Sequence, residues 1–364
     1  MTPGHTAPER HYCYSEALFV NHNSKRKSYF IVGGAMTVSI KEIARICGVS
    51  IGTVDRALNN RPGISPKTKE KILKVAKEKN YRPDYRAQSL VKGKTKTIGV
   101  VLFDLKNRSF ALLMNAIESE LRRTGYSLHL TLTDKDKKKE IESIKYLIDR
   151  KVDGIILFSV NQGKEFNTFL NSINIPIVTI FNHVSDQWHH IGVQERKAMQ
   201  DAVKHTISKG YKRFVFICPP LSLLGKVNIY TQHERLKGFQ DGLKEFNMLD
   251  QCIIIKEKDY LKKVAEGNFV GKEKTAILCT CDAHALEVMR FFKDQKVNIP
   301  GEIGIMGFDN IDVLRYVEPK LTTVEYPINE IGIRAVESLV CKLEKGTFPS
   351  VPLLDYKIIP GESI

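Results

Sequence analysis

From Thr97 onward the chain alternates short, wholly apolar runs with amphipathic stretches, and no other feature restricts its fold as much. The runs Ile98-Gly-Val-Val-Leu-Phe, Val152-Asp-Gly-Ile-Ile-Leu-Phe, Ile175-Pro-Ile-Val-Thr-Ile-Phe, Arg213-Phe-Val-Phe-Ile-Cys, Ala276-Ile-Leu-Cys-Thr and Gly304-Ile-Met-Gly-Phe have almost no polar alternate face. Such runs read as strands covered on both sides. Tyr126-Ser-Leu-His-Leu-Thr-Leu is also strand-like, and residues 110–123, 138–150, 196–209, 234–246 and 283–295 read as helices. Strands alternating with helices imply parallel sheets with helices on both faces. The number of units suits two doubly wound lobes, with a ligand cleft beyond the strand C-termini.

Residues 36–82 have a different texture. Ser39 and Glu42 form a capping box, and Ile40, Ile43, Ala44 and Cys47 then share one helical face. Gly48-Val49-Ser50 makes a turn in which Gly48 supplies a positive φ, Val49 plugs the core and Ser50 caps the next helix. That helix packs Val54, Ala57 and Leu58 inward and exposes Ile51, Gly52, Asp55 and Arg56. The Asn59-Asn60-Arg61-Pro62-Gly63 segment breaks the chain, and Ser65-Pro66 opens a third helix expected to pack Ile72, Leu73, Val75 and Ala76. Two short helices around a Gly-containing turn suit a reader of the DNA major groove.

Charge supports that reading. The chain carries a formal +15, and residues 36–95 hold 14 Lys/Arg against 5 Asp/Glu, a local net of +9. Charge so concentrated is the footprint expected of a surface that binds phosphates.

Residues 1–35 show no sustained period, and Gly33-Gly34-Ala35-Met36 is compatible with a ribosome-binding sequence before a start codon. We expect Met36 to be the initiator and the preceding stretch to be disordered or mis-assigned. After Tyr81-Arg-Pro-Asp, residues 83–96 read as a short hinge helix with a basic linker, and residues 97–364 form the larger domain.

The ordered series Ile40-Lys-Glu-Ile-Ala-Arg-Ile-Cys-Gly-Val-Ser-Ile-Gly-Thr-Val-Asp-Arg-Ala-Leu-Asn, followed by Tyr81-Arg-Pro-Asp, resembles the DNA-binding domain of the lac/gal repressor family. The larger domain resembles the type I periplasmic-binding-protein fold through Asp104-Leu-Lys-Asn107-Arg-Ser-Phe110, Val152-Asp-Gly-Ile-Ile, Glu234-Arg235-Leu-Lys-Gly238-Phe239, Asp282-Ala-His-Ala-Leu, Gly307-Phe-Asp309-Asn310 and Leu321-Thr-Thr-Val. The resemblance implies an all-α helix-turn-helix headpiece joined to an α/β sensor of two parallel-sheet lobes. It implies base-edge contacts from Ile51, Gly52, Asp55 and Arg56, and phosphate contacts from Ser39, Ser50, Thr53, Asn59, Ser65, Thr68 and Tyr81. Ala87 and Leu90 would enter the minor groove from hinge helices paired across a homodimer. Asp55 departs from the usual serine: a carboxylate there would accept from cytosine N4 or orient Arg56.

In the sensor the resemblance implies effector contacts from Asp104, Asn107, Phe110, Asn182, Arg235, Asp282, Asp309 and Tyr326, an apolar platform ringed by polar groups suited to a sugar or sugar derivative. Cys281, Gln194-Glu195, His183 and Tyr326 depart from the family pattern, so effector identity stays open. The implied activity is ligand-controlled, sequence-specific transcriptional regulation, repression first, with an activator or corepressor-dependent regulator as the alternative. A solute-binding protein would share the sensor and lack the headpiece.

Other classes find little support. No Gly-x-Gly-x-x-Gly follows the first strand, no P-loop or His-x-x-x-His pair occurs, and the one Gly-x-Ser-x-Gly match, Gly48 to Gly52, lies between two helices and is no strand-to-helix elbow, so no enzyme, catalytic residue, cofactor or metal site is expected. The seven cysteines lack paired ligand spacing and suit a reducing cytoplasm. No apolar run approaches the ~20 residues that span a bilayer, so no membrane partner is expected.

Overall fold

The computed structural model describes residues 38–82 and 93–364, which fall into two compact units divided after Asp84. The proposed start at Met36 and the hinge residues Ala87 and Leu90 lie outside the described residues.

In the first unit three helices, α1 (Ile40–Cys47), α2 (Ile51–Leu58) and α3 (Pro66–Glu78), close around Ile43, Val54 and Ile72, all fully buried. Ser39, Ser50 and Ser65 each cap the following helix by accepting a backbone N–H, from Glu42, Thr53 and Thr68 respectively. Gly48 sits at φ 69°, where a β-carbon would be strained, and lets the turn form. Helices α2 and α3 both end on an asparagine in the left-handed region, Asn60 and Asn80, with closing bonds from Arg61 N to Arg56 O and from Tyr81 N to Ala76 O of 2.8 Å each. Leu73 differs from expectation: it is 42% exposed, because Ile72 and Ala76 already fill the α3 face toward the core.

The second unit contains two sheets. The first has strand order β2-β1-β3-β4-β5: β1 (Thr97–Leu102), β2 (Ser127–Leu132), β3 (Gly154–Leu157), β4 (Ile177–Ile180) and β5 (His189–Ile191), all parallel. Its helices are α4 (Arg108–Arg123), α5 (Lys137–Asp149) and α6 (Lys164–Asn171). The chain then enters the second lobe through α7 (Glu195–Ser208), β6 (Arg213–Ile217), α8 (Tyr230–Glu245), β7 (Cys252–Ile255), α9 (Tyr260–Glu266), β8 (Thr275–Cys279), α10 (Asp282–Asp294), β9 (Ile303–Phe308) and β10 (Thr322–Glu325). It returns to the first lobe as α11 (Ile328–Lys345), packed on α4, β3 and β4, and re-enters the second as the antiparallel edge strand β11 (Lys357–Ile359). The second sheet therefore runs β11-β10-β9-β8-β6-β7.

The runs read as doubly covered strands are buried: β3, β4, β8 and β9 have no exposed residue. Helices α7 and α8 approach closely at Gly238, where a β-carbon would come within 2.0 Å of the Arg196 carbonyl oxygen. The reading from sequence assigns no element beyond Leu321-Thr-Thr-Val, so the 18-residue helix α11 and its return to the first lobe are additions from the structure.

Candidate functional site

In the headpiece, the proposed contact residues collect around two helix N-termini. The Ser50 and Thr53 hydroxyls lie 2.9 Å apart at the start of α2, and those of Ser65 and Thr68 lie 2.8 Å apart at the start of α3. Neither helix has an acid in its first turn, so the partial positive charge of the amide ends stays available to an anion. Ser39 caps α1 in the same way, whereas Glu42 in its first turn pairs with Arg45 at 2.5 Å. Tyr81 packs against the headpiece core.

The outer face of α2 presents Ile51, 52% exposed, with Gly52 and Arg56. A β-carbon at Gly52 would meet only the Ser50 hydroxyl, at 3.8 Å, so internal packing does not demand glycine there. The Arg56 side chain is exposed and has no hydrogen bond or ion pair among the described residues. Asp55 does not orient it. Its carboxylate instead accepts from Asn59 Nδ2 at 2.8 Å and from Arg61 Nη1 at 3.3 Å, because the left-handed Asn60 folds the chain back over the end of α2. Asn59 is thus engaged with Asp55 rather than held out alone.

In the sensor, Asp104, Asn107, Asn182, Asp309 and Tyr326 lie on loops at strand C-termini, and Phe110, Arg235 and Asp282 lie on the helices α4, α8 and α10 that follow, the end of the sheets at which a doubly wound topology binds ligands. The structure joins several of them in one buried network across the two lobes. Asn107, which caps α4 on the first lobe, donates to Asp309 Oδ2 of the second at 3.1 Å. Asp309, held at φ 117°, also accepts from the Tyr326 hydroxyl at 3.1 Å and lies 3.8 Å from Arg235. Arg235 donates to Glu195 at 2.7 Å and to the Thr280 carbonyl at 2.5 Å, and its guanidinium stands 3.5 Å over the Phe308 ring. A bidentate pair, Arg108 to Asp312 at 2.6 and 2.8 Å, bridges the lobes nearer solvent.

Burial sets the electrostatics. The Asp309 carboxyl is pushed up to about 6 by desolvation, although Arg235, Asn107 and Tyr326 pull it down. Desolvation and the charge of Asp309 push Asp282 up to about 8. Burial would lower the Arg235 pKa, but the Glu195 and Asp309 carboxylates outweigh it and hold the guanidinium charged. One oxygen of Glu195, Oε1, is buried without a partner.

Other candidates have different surroundings. Asp282 is fully buried within its own lobe, accepting from Thr323 Oγ1 at 2.5 Å and Ile311 N at 2.9 Å, and it props the loop that carries Asp309. Asn182 is 3% exposed and spends its amide on the Ser159 and Asn228 carbonyls, its oxygen on Thr231, which makes it a seam between lobes. Glu140, raised to about 7 by burial, supports the same seam through Ser159 and the Val160 amide. Phe110 packs edge-on to Phe103 and Phe158 in a chain of rings that continues through Phe181 to Tyr326. Asp104 accepts from Lys106 N and faces Lys135 at 3.7 Å.

Glu195 was absent from the candidates read out of the sequence. The only sign was its place in a departure from the family pattern, because its partner Arg235 lies 40 positions away. An open cavity of about 610 Å³ adjoins the network at Asp309 and Tyr326 and is otherwise lined mainly by α11 residues with Asn310 and Glu325. Among the described residues, no group of three or more His, Cys, Asp or Glu could hold a metal, and no helix is long and apolar enough to cross a membrane.

Residues 39–84 match the family model of bacterial regulatory proteins, lacI family, and residues 203–364 match that of the periplasmic binding protein-like domain. Catabolite control protein A of Priestia megaterium is 30% identical over 324 residues, covering 86% of this chain and 95% of that protein. The HTH-type transcriptional regulator RegA of Clostridium acetobutylicum is 30% identical over 347 residues, covering 90% and 99%. Among solved structures, the lac repressor dimer bound to operator and the anti-inducer ONPF superposes with a TM-score of 0.79 at 22% identity, over 90% of this chain and 99% of that one. A periplasmic binding protein/LacI transcriptional regulator from Alkaliphilus metalliredigens, complexed with D-xylulofuranose, superposes at 0.62 with 26% identity, over 74% and 98%.

Proposed function

The chain belongs to the lacI family of bacterial regulatory proteins, a family of DNA-binding transcriptional regulators, and from that premise we propose how its two units divide the work. The headpiece reads a double-stranded operator through Ile51, Gly52 and Arg56, with Ser39, Ser50, Thr53, Ser65, Thr68 and Tyr81 on phosphates. The sensor binds a small effector where the two lobes meet. The protein acts in the cytoplasm as a homodimer, since two half-sites need twofold symmetry, and it represses until the effector rebalances the lobes. An activator with the same parts is the second reading.

The observation that carries the effector reading is the Asn107–Asp309–Tyr326 and Arg235–Glu195 network, which links both lobes through buried polar groups. The network holds one guanidinium, already committed to Glu195, against two carboxylates. That balance suits hydroxyl donors, which an acceptor such as the partnerless Glu195 Oε1 can receive, and it opposes phosphate or carboxylate. The effector is therefore an uncharged sugar or polyol.

Thermal melting of the full chain with neutral sugars, polyols and sugar phosphates tests this. A neutral member should raise the Tm by mass action, whereas a panel in which only phosphorylated sugars act refutes it. For the headpiece, Arg56→Ala should abolish preference for duplexes enriched by the wild type from a random pool; equal losses on enriched and scrambled DNA would remove Arg56 as a base reader.

A further inference from the structure

The outer face of α2 carries an acid where the partner is a polyanion. We propose that Asp55 reads no base, and that Asp55 and Arg61 form a self-neutralising unit in which Arg61 shields the carboxylate from DNA phosphates; the inference rests on the headpiece being the DNA-binding surface.

The unit is built by the end of the helix. Asn60 takes φ 54°, and Arg61 N closes on Arg56 O at 2.8 Å, so the chain reverses and returns the Arg61 side chain to Asp55. Asn59 fixes the other side, with Nδ2 donating to both Asp55 O at 2.9 Å and Asp55 Oδ1 at 2.8 Å. From α3, Lys69 Nζ donates to Asn60 Oδ1, which ties the loop down independently. Both carboxylate oxygens are therefore engaged, Oδ1 by Asn59 and Oδ2 by Arg61 at 3.3 Å, and the carboxylate is held toward the C-terminal end of α2. Asp55 and Arg61 remain partly open to solvent, with side chains 40% and 56% exposed, so an approaching phosphate would sense any charge left uncancelled. Arg56, the next residue, is left as the cation free for a base edge. Asp55 touches no base in this scheme, and Arg61 is its counter-charge.

The test uses the full-length protein, duplexes enriched by the wild type from a random pool, and a scrambled duplex of equal composition, with binding read by fluorescence anisotropy at fixed salt. Arg61→Gln should weaken both duplexes by a similar factor, about tenfold, because an uncancelled carboxylate repels any phosphate backbone. Asp55→Asn should bind both more tightly and enrich the same sequence as the wild type. The double variant Asp55→Asn/Arg61→Gln should return to within about threefold of the wild type, because removing both charges restores the wild-type balance. Arg61→Lys keeps the charge and should stay near the wild type, and circular dichroism of each variant checks that the headpiece helices persist. A shifted sequence preference for Asp55→Asn would make it a base reader and overturn the proposal. So would a double variant as weak as Arg61→Gln, which would make Arg61 a phosphate contact in its own right. A wild type that enriches no sequence overturns the DNA-binding premise instead.

Discussion

Replacing Arg235 with methionine is the most informative single change in the sensor. The side chain is 6% exposed, its Glu195 partner 2% and its Asp309 partner 4%, so the substitution strands two carboxylates with almost no water to solvate them. Breaking a buried pair from one side costs about 3–5 kcal/mol, far more than the net worth of the pair. The lost placement over Phe308 adds to it. At roughly 2–4 °C per kcal/mol for a domain of this order, the sensor should melt about 10 °C lower near neutral pH. Arg235 holds the Asp309 pKa down, so without it Asp309 takes up a proton at higher pH, and the deficit should shrink as the solution is acidified toward pH 5. The assay is the calorimetric or dichroic melt of the full chain, with Glu195→Gln added to the variant as a second step. The double variant should recover a large part of the loss, because one stranded charge is removed. A loss under ~1 kcal/mol for Arg235→Met, or no recovery in the double variant, would refute the account of Arg235 as the counter-ion of a closed acidic pair.

Two further outcomes follow from the same geometry. Asp282 has a folded-state pKa near 8, above its unfolded value, so its neutral form is favoured by the fold and stability falls as pH rises through that value. Buried His190 and His284, lowered to about 3 and about 4, act oppositely but only below about pH 6.5, so between pH 6.5 and 8 the sensor should lose stability, and Asp282→Asn should flatten that slope in a series of melts. Gly238→Ala should cost about 1–3 kcal/mol or more, since its β-carbon meets the Arg196 backbone and α7 must move, whereas Gly271→Ala, which meets only Arg213 Nη1 at 3.7 Å, should be near neutral in the same thermal assay.

What the sequence made legible is local. Ser39, Ser50 and Ser65 announce their helices because a cap and the amides it serves lie within three residues. The buried strands announce themselves because every residue in the run is apolar. Leu73 misleads because a helix face is wider than the core it meets. Asp55 misleads because its partner depends on a left-handed turn at Asn60 that composition only permits. In the cleft, residue types were legible and pairings were not. Arg235 finds Glu195, Asp309 finds Asn107 some 202 positions away, and Asn182 turns its whole amide to the lobe seam rather than to an open cleft. Contacts closed by topology leave no periodic trace in a single sequence.

The chain passes between lobes three times: from β5 to α7, from β10 to α11, and from α11 to β11. Two of these passages are laced together, Val193 beside Leu354, with Leu354 N donating to Gly192 O at 2.8 Å and Gln194 N to Leu354 O at 3.1 Å. A single tether would let the lobes swivel about its own axis. A ribbon of several tethers resists torsion and yields mainly by bending, so the relative motion of the lobes reduces to nearly one angular coordinate. Asn107 and Asp309 would then part and meet along a fixed arc, and any molecule seated between them would act on the rest of the protein through that angle alone.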